Sequence, residues 1–220
     1  MTALVWGAPG DKTYETGLDR GVLYARNEDP EAWNGLVSLT ENVAGGEVES
    51  FYYDGVKYLD IILYEDYQAT LEAFSFPLTW NECDGARQIA LGLFATQQPR
   101  KPFDLSWRTK VGNDLTEEAG YKLHLLYNCM ATPTERVSTT ISADVSLPTR
   151  SWTIYTAPPE PSDYGGESYK PTAHLVIDSR FANPTRLELI EQEIYGNVTD
   201  DPRMPTQDEL VTFINTGFWS

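Results

Sequence analysis

The sequence predicts a mainly β protein: a β-sandwich or barrel-like domain with one or two short flanking helices, an N-terminal arm and long loops. Three observations predict it. Strict period-two alternation recurs at Tyr67–Phe74, Phe103–Lys110 and Tyr121–Tyr127, the pattern of strands whose two faces meet different surroundings. Turn-forming pairs such as Asp54-Gly55 and Asn113-Asp114 punctuate the chain. Helical spacing of apolar residues arrives late, in Pro184–Tyr195 and after Thr206.

Composition bounds the classes. The chain has 220 residues, 41% of them hydrophobic, enough for one large or two small domains with a real core. No apolar run approaches the roughly 20 residues that span a bilayer, so no membrane partner is expected. Met1–Gly7 lacks the basic and apolar regions of a signal peptide, and folding in a cytoplasm is the expectation. The net charge of −17, from 33 acids and 16 bases, disfavours tight nucleic-acid binding and suits solubility or a surface that DNA passes without sticking. Cys83 and Cys129 are expected as buried thiols without a disulfide. Two cysteines and two histidines far apart make no zinc signature.

Taken in order, residues 1–35 read as an arm, because Gly7, Pro9, Gly10, Gly17 and Gly21 break any long element; Gly21–Tyr24 is one short strand within it. The domain proper, 36–220, opens with a strand at Leu36–Thr40. Phe51–Tyr53 and Val56–Leu63 flank the Asp54-Gly55 turn as a hairpin. In the next strand Tyr67, Ala69, Leu71 and Ala73 point one way and Gln68, Thr70 and Glu72 the other. Helix competes over 65–74, since Glu, Ala, Leu and Gln favour it, but the alternation and the closing Phe74, Phe76 and Pro77 favour strand. Residues 81–102 read as connection, with one helical turn at Ala86–Ala90. Residues 103–127 form a hairpin with a polar tip. Val137–Val145, Ser151–Tyr155 and Thr172–Asp178 read as strands, the last two separated by a Pro-then-Gly-rich loop. Helices are predicted at about 184–196, started by Pro184, and 206–215, started by the capping-box pattern Thr206-Gln-Asp-Glu209.

Catalytic chemistry is sparse. There is no Gly-x-Ser-x-Gly elbow, P-loop or Gly-x-Gly-x-x-Gly. His124, on the polar face of a strand, and His174, near a strand start, read as structural or surface residues. Asp114, Glu117 and Glu118 read as a solvated loop tip, lacking calcium-loop spacing. Asn197-Val-Thr199 fits a glycosylation sequon without a secretion signal to support it. No catalytic residue, cofactor or metal is expected, and an enzyme is not. The six Trp and thirteen Tyr have three uses: core, sugar stacking or subunit contacts. Trp6, Tyr14, Tyr24, Phe218 and Trp219, hard to place in one core, are read as assembly contacts.

A family resemblance runs along nearly the whole chain. Trp6-Gly7, Asp11–Tyr24, Ala32–Leu36, Tyr53–Leu59, Ala69–Phe74, Gly112–Asp114, Tyr121–Leu125, Pro171–Ser179 and Pro205–Leu210, in that order, resemble the major tail proteins of long-tailed actinobacteriophages. Ile61-Ile62-Leu63 departs from that pattern, being apolar where polar residues are expected. The resemblance implies a structural virion protein whose hexameric rings stack into a hollow tail tube. It implies as partners other copies of the chain, a tape-measure protein, tail terminator and tail tip proteins, and genomic double-stranded DNA in passage. It implies assembly in the host cytoplasm and no catalytic residues.

A tube wall built of sheets needs strands with one dry and one wet face. The three best alternating strands supply Gln68, Thr70, Glu72, Asp104, Ser106, Arg108, Lys110, Lys122 and His124 as candidate lumen-facing residues, with at least two of the three strands expected to line the channel. The alternatives from other classes are a carbohydrate-binding β-sandwich using exposed aromatics and a hydrolase with an unrecognised site.

Overall fold

Alternating strands with apolar inner faces fold here into one dominant antiparallel sheet. The structure is a computed structural model that describes residues 4, 6–63, 65–134, 136, 138, 140, 147–160 and 170–217. The expected strand at 137–145 falls largely outside these residues, as do Phe218 and Trp219. The described strands are β1 (Thr13–Ala25), β2 (Glu31–Ala32), β3 (Leu36–Gly45), β4 (Val48–Tyr53), β5 (Val56–Ile62), β6 (Glu65–Ala73), β7 (Arg87–Ala90), β8 (Leu93–Ala95), β9 (Phe103–Asn113), β10 (Gly120–Pro133), β11 (Arg150–Thr156) and β12 (His174–Asp178). The helices are α1 (Trp80–Cys83), α2 (Pro184–Tyr195) and α3 (Gln207–Thr216).

The eight-stranded sheet has the order β2-β1-β9-β10-β11-β6-β3, with β12 pairing β10 beside that path. The first half of β10 is shared by β9 and β12, and its last residues pair with β11. The sheet curls until its far ends approach. The Trp33 amide donates to the Gly21 carbonyl at 2.8 Å, and a Cβ on Gly21 would lie 2.2 Å from Leu36 Cδ1. A side chain at Gly21 would have to displace the Leu36 methyl from this contact.

The concave side encloses the main core. Leu23, Ala69, Leu71, Phe103, Leu105, Trp107, Leu126, Trp152 and Ile154 pack there with Trp33 and Trp80. The tryptophans form an edge-on cluster, with ring centroids 4.5 Å apart for Trp33–Trp80 and 5.2 Å for Trp80–Trp152, the geometry that aromatic quadrupoles favour. A second core lies on the opposite face of β1, β9 and β10. There Val22, Tyr24, Leu123, Leu125 and Tyr127 meet Leu187, Ile190 and Ile194 of α2 and Leu210 and Phe213 of α3.

Both C-terminal helices begin as their sequences direct. Asn183 Oδ1 accepts from the Thr185 and Arg186 amides ahead of α2, and Thr206 and Glu209 close a reciprocal capping box at α3. The expected helical turn at Ala86–Ala90 is instead strand β7, and the single short helix of this region precedes it as α1.

The expectation that residues 1–35 form an arm without a core of its own is corrected. Thr13–Ala25 is a 13-residue strand paired with β9, and Leu23, Ala25 and Trp33 belong to the main core. The glycines and the bulges along β1 bend the strand without ending it. Cys83 and Cys129 are both free and fully buried, and burial pushes the Cys83 thiol up to about 12. Thiol titration of unreduced protein is expected to find two reactive groups per chain after denaturation and almost none before; none after denaturation contradicts the assignment.

Candidate assembly surfaces

The pairing of β3 with β6 runs from Leu36↔Ala73 to Gly45↔Glu65. Beyond Gly45 and Gly46, at φ 92° and 71°, the same two chain segments continue as the β4–β5 ribbon, from Val48↔Ile62 to Tyr53↔Val56. Its turn places Asp54 and Gly55 at φ 50° and 75°, the paired left-handed residues of a tight hairpin. This outer ribbon carries the largest exposed apolar surface of the described residues. Val48, Phe51, Tyr52 and Tyr53 on one strand, and Val56, Tyr58, Leu59, Ile61 and Ile62 with Leu63 on the other, are all exposed, Tyr58 at 73% and Ile62 at 68%. A two-stranded ribbon with both faces in water is marginal alone, and so large an apolar surface marks a place of contact.

A second small hairpin, β7–β8, exposes Ile89, Leu91 and Leu93. Ahead of β1, Leu4 and Trp6 are exposed. Tyr14 is partly exposed, its ring lying over Gly112, where a Cβ would come within 2.5 Å of it. Tyr24, expected as an assembly contact, is not available. It is buried under α2, where its hydroxyl donates to the Ile194 carbonyl at 2.7 Å. Phe218 and Trp219 lie outside the described residues.

The three alternating strands separate into two kinds. On β6 the reading holds: Ala69, Leu71 and Ala73 are buried, while Gln68, Thr70 and Glu72 lie half-exposed on the opposite face. On β9 the helix layer covers the face expected to be wet; on β10 it covers the face expected to be dry, Leu123, Leu125 and Tyr127, and the opposite face is closed at His124 by Trp107. Ser106 is fully buried, 3.3 Å from the Tyr24 hydroxyl. Arg108 pairs with Asp19 at 3.0 Å and with Glu191 of α2 at 3.4 Å. Asp104 accepts from the Asn128 amide at 2.6 Å, and burial pushes its carboxyl above the usual range. His124 is on the other face, buried against Trp107, and burial lowers its pKa to about 4. Lys122 pairs with Glu15. Lys110 alone of the β9 set is exposed. Of the three strands, β6 presents its expected polar face uncovered within the chain, and the polar side chains of β9 are largely taken up by partners of the same subunit.

That face extends across neighbouring strands. Ser38, Thr40 and Asn42 of β3 stand beside Glu72, Thr70 and Gln68, and Ser151, Thr153 and Tyr155 of β11 stand on their other side. Ser38 Oγ donates to Glu72 Oε2 at 2.9 Å, and Asn42 Nδ2 to Thr70 Oγ1 at 3.4 Å. Of these side chains Glu72 alone is charged. The result is a wall of hydroxyls and amides with neither α2 nor α3 over it.

No protein-family model matches the chain, and no curated protein matches it. Among solved structures, it is similar to a chain of the anti-feeding prophage baseplate, at 10% identity and a TM-score of 0.39, over 79% of this chain and 97% of that one. It is also similar to a chain of the sheath–tube complex of an extracellular contractile injection system in the extended state, at 14% identity and a TM-score of 0.34, over 72% and 88%. At TM-scores below 0.5, neither assigns a function to the chain. No helix among the described residues is long and apolar enough to cross a membrane.

Proposed function

We propose that this chain is a structural subunit of a phage tail tube that assembles with copies of itself, rather than an enzyme. The observation that carries this reading is the β4–β5 ribbon, whose apolar side chains have no core within their own subunit. Ribbon edges and faces of this kind gain order by docking on a neighbour. The residue resemblance to major tail proteins supplies the architecture: hexameric rings stacked into a hollow tube. It also supplies the other partners, namely the tape-measure protein, tail terminator and tail tip proteins, and DNA passing without specific binding. The place of action is then the virion, after assembly in a host cytoplasm. Sedimentation across a concentration series tests it, with large concentration-dependent species expected and a monomer throughout counting against it.

In this reading the polar face of β6 lines the bore. A wall of hydroxyls and amides with one carboxylate offers phosphates no cationic grip. The substitution Glu72→Lys is expected to leave tube formation intact and to slow genome ejection, with added salt relieving the slowing. An unchanged ejection rate at low salt places this face away from the bore.

A second reading has its own observation. Phe51, Tyr52, Tyr53 and Tyr58 line one shallow concavity on the ribbon, an aromatic platform of the sort that stacks against sugar rings. Retention on a polysaccharide column at concentrations where the chain is monomeric favours this alternative.

A further inference from the structure

The chain contains two histidines, and the fold brings them together. His124 Nδ1 of β10 lies 3.1 Å from His174 Nε2 of β12. Both rings stack on the Trp107 indole, with centroids 4.9 Å and 5.5 Å away and interplanar angles of 6° and 13°. Glu41 of β3 completes the group. Its Oε2 is 3.8 Å from His174 Nδ1, and donor atoms of all three side chains lie within 4.8 Å of one another.

The hydrogen bonds fix where the protons sit. Glu15 is ion-paired with Lys122, so it accepts the single hydroxyl proton of Thr109, 2.5 Å away. Thr109 Oγ1 must then accept from His124 Nε2, at 2.9 Å. A neutral imidazole protonated at Nε2 has a bare Nδ1, and His124 Nδ1 therefore accepts from His174 Nε2. That leaves His174 Nδ1 bare as well, with its lone pair facing the Glu41 carboxylate. Lone pair and carboxylate repel unless a proton or a metal cation stands between them. The Tyr67 hydroxyl lies beside Glu41, and donation from it favours the charged carboxylate.

We propose that His124, His174 and Glu41 bind a divalent transition-metal ion of the class that takes imidazole and carboxylate ligands, with zinc as the representative. Two nitrogens 3.1 Å apart, each about 2.1 Å from an ion, subtend about 95° at it, an open angle that leaves room for a carboxylate and water. The ion replaces the hydrogen bond between the rings. The ion takes His174 Nε2, and the ring's one proton then sits on Nδ1, on the Glu41 side. Glu15, acting through Thr109, holds His124 in the tautomer that presents Nδ1, the role carboxylates play behind metal-bound histidines. Entry is from the Glu41 side, where that side chain is 44% exposed against 12% for His174. The bound ion ties the edge strand β3 to β10 and β12.

The test uses the full chain without an affinity tag, stripped with EDTA and titrated calorimetrically with zinc chloride, with cobalt(II) absorbance as a second readout. One ion per chain is expected, with a higher melting temperature and a visible cobalt d–d band. His174→Gln and Glu41→Gln, whose folding is checked by circular dichroism, are expected to abolish saturable binding. Glu15→Gln is expected to weaken it by roughly 10- to 100-fold. Absence of saturable binding to the wild-type chain, or unchanged binding in the folded His174→Gln and Glu41→Gln variants, overturns the proposal; the pair is then a proton-sharing contact alone. Either result is independent of whether the chain forms tubes.

Discussion

A chain in which residues 46–64 are replaced by Asn-Gly is expected to fold to the same sheet and to lose assembly altogether. Gly45 and Glu65 are directly paired, so a two-residue type I′ turn joins them at the register the sheet already has. The ribbon removed contributes no residue to either core, and the melting temperature should change by no more than a few degrees. What it does contribute is exposed apolar surface, worth about 25 cal/mol for every Å² that a neighbouring subunit covers. Sedimentation and circular dichroism read the two halves of this expectation separately. Tubes formed by the shortened chain, or a chain that fails to fold, would each contradict it.

The second large effect lies inside the subunit. Trp152→Ala is expected to cost about 5 kcal/mol of stability, from about 3–5 for the cavity and about 1–3 for the hydrogen bond it strands. Trp152 is 1% exposed and packs against Trp33, Phe76 and Trp80. Its indole donates to buried Asp84 at 3.0 Å, a carboxylate that Arg136 also holds. For a chain of this size the melting temperature should fall by roughly 10–20 °C. Trp152→Phe keeps most of the packing and loses the donor, so it should cost about 1–3 kcal/mol. Equal losses in the two variants would mean that the hydrogen bond, and not the aromatic cluster, dominates.

The fold class was legible because alternation and capping are local signals. β6 follows its period-two pattern residue by residue, and α2 and α3 start where Asn183 and Thr206 can cap them. The identity of each wet face was not legible. Polar residues at alternate positions of β9 suggested solvent, but Arg108 meets Asp19 and Glu191, and Ser106 meets Tyr24. Those partners lie between 82 and 89 residues away, and polar pairing of that range leaves no trace in a local pattern. Residues 13–25 looked like an arm because glycines usually end strands, whereas here bulges accommodate Gly17 and Gly21 packs against the Leu36 side chain of β3. The apolar run Ile61-Ile62-Leu63, legible only as a departure from the tail-protein pattern, lies exposed on the uncovered ribbon. His124 and His174 were separately unremarkable; their meeting depends on β12 adding to β10 in the register Leu126↔His174.

Electron microscopy of concentrated protein, with helical reconstruction of any tube found, tests the central claim most directly. The account predicts a hollow tube in which Val48–Ile62 of each subunit is buried against a neighbouring copy. A chain that stays monomeric at every concentration, or a tube in which that ribbon projects freely into solvent, would contradict it.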